Sequence, residues 1–190
     1  MTTAAANLVR STRRERGFSQ RALAAAVHMN GSAVADVERS AHDPGVDTVQ
    51  RLLNATGYRL CAIPTRSTPA AEWADLIYRE LKSSRKSHSV ALRALIGLSD
   101  DLSAASGVIR VALCVAVPPP CGDARYDAAI AGIVEHHLTA DGLPVPDWVE
   151  EPSRFLATPW ETSTYTDQSE APLALQRHGV WLAAADLASV

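Results

Sequence analysis

Apolar residues recur at helical spacing through most of this chain, and the polar breaks between them mark where each predicted helix stops. Residues 4–16 predict a first helix, with Leu8 and Val9 as core anchors and Gly17 as its C-terminal cap. From Phe18 to Ser40 the pattern gives two short helices and a tight corner. Ser19 is placed to cap the first, and Leu23, Ala24 and Val27 make one apolar stripe on it. The corner is His28-Met29-Asn30, with Met29 as an apolar plug and Asn30 as the cap of the second helix. Val34 and Val37 share a face and can pack back on the first helix. That leaves Gly31, Ser32, Ala33, Ala35 and Asp36 on the outer side. After the turn signal Asp43-Pro44-Gly45, residues 46–56 predict a helix with Val46, Val49, Leu52 and Leu53 inward, ended by Gly57. Residues 58–63 alternate and stop at Pro64, which predicts a short strand. A lone strand must find a pairing partner for its backbone groups.

Beyond a Pro/Ser/Thr linker at 64–70 the pattern is helical again. Residues 72–81 carry a stripe of Trp73, Leu76, Ile77 and Leu81. Residues 83–88 form a polar break and hold the one basic cluster outside the head. Residues 90–98 and 99–102 predict two further helices, the second capped by Ser99. The run 108–117, β-branched and apolar but for Arg110, is too short and continuous for periodicity to decide between a buried strand and a buried helix. A long helix after Gly122-Asp123 has Tyr126, Ile130, Ile133, Val134 and Leu138 as core positions. Trp148, Phe155, Leu156 and Trp160 then anchor proline-punctuated segments. The last stretch predicts a short helix to Gln176, a turn near His178-Gly179 and an extended VWL.

Two helices joined by a turn of three or four residues, with the second exposed at its N-terminus, is helix-turn-helix geometry. The residues that carry it also follow a known pattern. Ser19-Gln20, Leu23-Ala24, Val27, Met29, Asn30, Val34, Val37-Glu38 and Pro44 stand in register with it, so residues 6–57 resemble the Xre/Cro/cI class of phage and bacterial repressors. His28 and Ser40 depart from that class, standing where glycine is usual. The resemblance implies a five-helix-type, lambda-repressor-like domain over 1–63 with a short C-terminal strand. It also implies a buried ion pair between Arg13 and Glu38, and a strand at 58–63 that pairs across a dimer two-fold through Tyr58, Leu60 and Ala62. Pairing of that strand within the C-terminal half is the rival.

Charge sharpens the division. The chain's formal charge is −3, yet residues 1–66 hold nine Arg against five acids, which is +4, and the remainder holds nine basic against sixteen acidic residues, which is −7. A basic head on an acidic body suits a head that alone meets phosphates. Phosphate contacts are then expected from Gln20, Arg10, Arg14, Arg21 and Arg39. Base contacts are expected from Gly31, Ser32, Ala33 and Asp36, with Asn30 at their start. That set is thin, since no Arg, Asn or Gln stands among those four to grip a purine with two bonds. Three cysteines without a CxxC point to a reducing cytoplasm and no zinc site. No apolar run approaches a membrane span, and the N-terminus carries no secretory pattern.

No catalytic frame stands out. The cluster Glu135-His136-His137 lacks the spacing that puts ligands on one helix face, and no Gly-rich phosphate loop or GxSxG is present. The expectation is a non-enzymatic protein without cofactor or metal, mainly α throughout, with a mostly helical interaction domain at 71–190. The phrases GDARYDAAIAGIVEHH, GLPVPDWVEEPSRFL and RHGVWLAAADL resemble a domain of actinobacterial Xre-type antitoxins found beside nucleotidyltransferase-like toxins. That resemblance implies an antitoxin and autorepressor, and the expected partners are operator double-stranded DNA, a second copy of the chain as a homodimer, and the toxin. Trp148 and Trp160 lie in stiff, proline-punctuated segments that can present their rings as interface anchors, the alternative being that they close this domain's own core. The alternative is a one-component repressor that senses a small ligand in its C-terminal domain.

Overall fold

Thr3 starts the first helix by accepting the Ala6 amide on its hydroxyl at 3.3 Å, and α1 runs Ala4–Glu15. The chain is seen here as a computed structural model, which describes residues 3–83, 88–162 and 168–187. Gly17, at φ +69, lets the Phe18 amide return to the Arg13 carbonyl and stop α1. Ser19 accepts the Ala22 amide at 3.0 Å and opens α2, Gln20–Ala26. α3 follows at Ala33–Glu38 and α4 at Val46–Ala55. These four helices belong to a compact unit covering residues 1–64, and a second unit covers 65–190. The fifth helix of the lambda-repressor plan has no counterpart among the described residues of the first unit.

Val9, Leu23, Ala24, Val34, Val37, Val49, Leu52 and Leu53 form the core of this head, with Leu8, Val27 and Met29 packed at its edge. Val46, expected inside, is exposed because α4 begins there with its first turn in solvent. Residues 58–63 form no ladder with any of the described residues. Arg59 to Ala62 lie exposed, while Tyr58 turns back onto the head's core under the Arg16 guanidinium, 5.5 Å from its ring centroid. Pairing across a dimer two-fold would need a second copy of the chain.

The second unit is built on α8, Ala124–Ala140, whose residues from Ala128 to Glu135 are buried without a break. A helix apolar on nearly all sides must be surrounded. α5 (Ala70–Lys82), α6 (His88–Ala104), α7 (Gly107–Cys114) and α9 (Leu173–Arg177) supply the surround. Gly97 lets the Trp73 ring lie against α6: a Cβ there would come within 2.5 Å of the indole. The run 108–117 resolves as a helix as far as Cys114. The buried Arg110 of α7 explains its seating, since its guanidinium donates to the carbonyls of Ala105 and His137, beyond the ends of α6 and near the end of α8. Residues 90–102, expected as two helices, are one. Ser99 is no cap; its hydroxyl sits 2.8 Å from His137 Nε2. Burial, with the nearby His136 and Arg110, pushes that imidazole down to about 4. Near the end of the chain β1 (Trp160–Glu161) and β2 (Val180–Trp181) pair in parallel, Trp160 opposite Val180. Most of the polar break at 83–88 falls on residues 84–87, outside the described residues.

Candidate nucleic-acid interface

One buried carboxylate sets the geometry of the head. Glu38 closes α3 with a side chain only 2% exposed, a position that a carboxylate occupies at high cost unless it is paired. Arg13 of α1 grips it with two bonds, Nε to Oε1 at 2.6 Å and Nη2 to Oε2 at 3.0 Å. The remaining arm of the same guanidinium donates to the Phe18 carbonyl at 2.7 Å, just before α2. Gln20, the first residue of α2, donates its amide to Glu38 Oε2 at 2.8 Å. Arg10 completes the cluster, bonded to the Glu38 backbone carbonyl with its Nε 3.8 Å from the carboxylate. Three helices therefore meet at one residue, which fixes how α3 stands against α2. Burial alone would raise Glu38. The hydrogen bonds from Arg13 and Gln20, with the charges of Arg13 and Arg10, outweigh it and hold the carboxyl below its ordinary value.

This cluster redistributes the expected contact residues. Gln20 and Arg10 each donate one hydrogen bond to Glu38, so both take part in the scaffold in the free protein, while the Arg10 side chain stays 34% exposed. Arg14 and Arg21 are exposed and form no ion pair among the described residues. Asn30, Gly31 and Ser32 are exposed, and Ala33, Ala35 and Asp36 partly so. Asn30 does not cap α3 with its side chain; its backbone carbonyl accepts the Ala33 amide in a turn that precedes the helix. Arg39 reaches back to Asp36, Nη2 to Oδ1 at 2.5 Å. Helical periodicity made the outer face legible, but the gathering of donors on Glu38 had only one legible member, Arg13.

The two corners that lack glycine are held in the left-handed region, His28 at φ 53 and Ser40 at φ 56. Both follow a helix, where a residue with φ above zero releases the chain into its turn. Ser40 recovers part of the cost through its hydroxyl, which accepts the Thr3 amide at 2.9 Å and ties the start of α1 to the end of α3.

In the second unit, Trp148 is buried and donates its indole N–H to the Cys114 carbonyl at 2.9 Å. The Arg154 guanidinium lies over its ring at 5.2 Å. A ring so enclosed closes its own core, and this takes Trp148 out of the partner-binding set. Trp160 is half-buried, tilted against Tyr126 with Arg125 over its face. Glu135 turns to Arg177 and to the buried His178, while His137 faces Ser99, so the acid–histidine cluster is split between different neighbours.

A short helix with a solvent-facing outer side, clamped at a fixed angle on a partner helix, defines a helix-turn-helix domain, the fold of a DNA-binding regulator. Comparison with known proteins agrees: residues 9–63 match the family model described as helix-turn-helix, of the Xre/Cro/cI type. The match covers less than a third of the chain. No curated protein and no solved structure gives a significant match. Among the described residues, no helix is long and apolar enough to cross a membrane.

Proposed function

We propose that this chain is a sequence-specific transcriptional regulator that binds its operator as a homodimer in the cytoplasm. In this reading residues 1–63 are the DNA-binding head, 64–70 a linker and 71–190 an interaction domain. The observation that carries it is the exposed outer side of α3, held in place by the Glu38 cluster on a head of net positive charge. Arg14 and Arg21 meet phosphates, and Asn30, Gly31, Ser32 and Ala33 meet base edges. Gln20 acts through Glu38. Dimerisation is supported by residues 59–62, which are exposed and have no ladder partner among the described residues. An open edge of this kind is a template for the same segment of a second copy.

Two experiments test this. The full chain should shift DNA from its own upstream region, with affinity that falls steeply as salt rises, because each neutralised phosphate releases counterions. Light scattering should find a dimer, and Leu60→Pro, which removes a backbone donor, should weaken dimerisation and DNA binding together. A monomer at tens of micromolar (~) would remove half-site spacing as a source of specificity.

The acidic charge of the second half and its resemblance to antitoxin domains support a more particular role. The chain is then the antitoxin and autorepressor of a pair, and its acidic surface covers the basic site of a nucleotidyltransferase-like toxin. Trp160 is the remaining aromatic anchor for that contact. Co-expression with the neighbouring gene decides the matter: growth arrest should be relieved by the full chain and less well by a Trp160→Ala variant. A harmless neighbour would end the antitoxin role and leave the DNA-binding role standing.

A further inference from the structure

We infer that Asp36 and Arg39 form one base-reading unit, in which Asp36 orients the Arg39 guanidinium and Arg39 recognises a guanine. This rests on the DNA-binding reading of α3. At about 3.6 residues per turn, Val34, Val37 and Glu38 point to the core, and Ser32, Asp36 and Arg39 fall on one stripe directly opposite. Arg39 therefore stands at the centre of the outer face, not at its margin. Its side chain is 68% exposed and bonded to Asp36, whose own side chain is 32% exposed. Side chains on a helix lean toward its N-terminus. The bond to Asp36 holds Arg39 in that direction, over the segment that carries Ser32 and Gly31.

Charge and geometry both favour the pair over its members acting alone. An unpaired carboxylate on the DNA-facing side of a helix would be repelled by phosphates. Asp36 escapes this only while a cation sits against it. Its carboxylate is consequently engaged, and it is poorly placed to accept from a cytosine amino group. One arm of Arg39 is spent on Asp36, and the guanidinium keeps further N–H donors in a rigid plane. Two of them match the O6 and N7 acceptors of guanine in the major groove. The pair is close to neutral as a unit, so it adds direction to the contact more than it adds attraction to the backbone. It also supplies the two-bond purine contact that the side chains from 31 to 36 lack.

The test uses the full chain and a randomised double-stranded DNA library. Selection yields a consensus, and anisotropy then measures affinity for that duplex and for single base-pair replacements at several salt concentrations. Replacing one G·C pair per half-site should weaken the unmutated protein about 5- to 150-fold. R39K keeps the charge and loses the planar fork. It should lose most of that discrimination with its salt dependence unchanged. D36A should also lose discrimination at the same guanine while binding unselected DNA more tightly, an outcome that a damaged fold would not produce. The inference is overturned if Arg39→Ala weakens every duplex equally and lowers the salt slope by about one, the signature of a phosphate contact. It is equally overturned if D36A discriminates as well as the unmutated protein. Failure of the unmutated protein to bind any duplex would remove the DNA reading itself, a result distinct from both.

Discussion

Replacing Glu38 with Ala is expected to cost about 3–5 kcal/mol, because it strands the Arg13 guanidinium in a buried site without its acceptor. The substitution also releases Gln20 and Arg10 at once. A head of this size has little stability in reserve, so the variant should lose the melting transition of its head and its DNA binding together. Glu38→Gln keeps the shape and removes the charge, and should fall between. Acid gives an independent check. Glu38 titrates below its ordinary value of 4.5 in the folded head, so the unfolded state takes up the proton first as pH falls. The stabilisation is therefore complete above that ordinary value and is lost as pH drops through the lower folded one. Thermal melts of Glu38→Gln between pH 7 and pH 3 (~) should show a flatter pH profile than the unmutated head. An Ala variant that melts and binds DNA like the unmutated chain would refute the clamp.

Trp148→Ala should destabilise the second unit by about 3–5 kcal/mol, the usual range for emptying a buried indole site. The loss has three sources: the ring volume, the hydrogen bond to Cys114, and the surface on which Arg154 lies. In calorimetry of the full chain the transition of residues 65–190 should fall by roughly 10 °C or more. The transition of the head should stay where it is. Trp160→Ala, at a half-buried position, should move it much less. If the two variants melted alike, the distinction between a core indole and a surface-facing one would be lost.

These two residues also mark where the sequence was and was not legible. Periodicity exposed the long central helix and its five named core positions, because a helix buried on nearly every side repeats its apolar residues without interruption. It exposed the outer face of α3 for the converse reason. What stayed hidden were partners distant in the chain. Ser99 read as a cap because serine prefers that position, yet its hydroxyl is held by His137, 38 residues away. The run 108–117 is ambiguous as sequence because the contacts that seat it, from Arg110 to the carbonyls of Ala105 and His137, leave no mark on its spacing. Trp148 looked like an interface anchor because prolines flank it, and only the packing of α7 and Arg154 shows it enclosed. Arg10 and Gln20 looked free because nothing in their spacing reveals that both lie beside Glu38.

The placement of polar partners along the chain has a consequence for synthesis. Every partner of Glu38 lies upstream of it, at residues 10, 13 and 20, so the head can complete its buried cluster as soon as residues 1–64 have been made. The buried Glu135 of α8 waits instead for Arg177 and His178, near the far end. A ribosome that stalls in the second half, or a protease that cuts there, would leave a finished head without a finished body. Such a fragment would keep the helix-turn-helix fold and lack a completed second unit. Damage in the second half would thus fall on the body and spare the fold of the head.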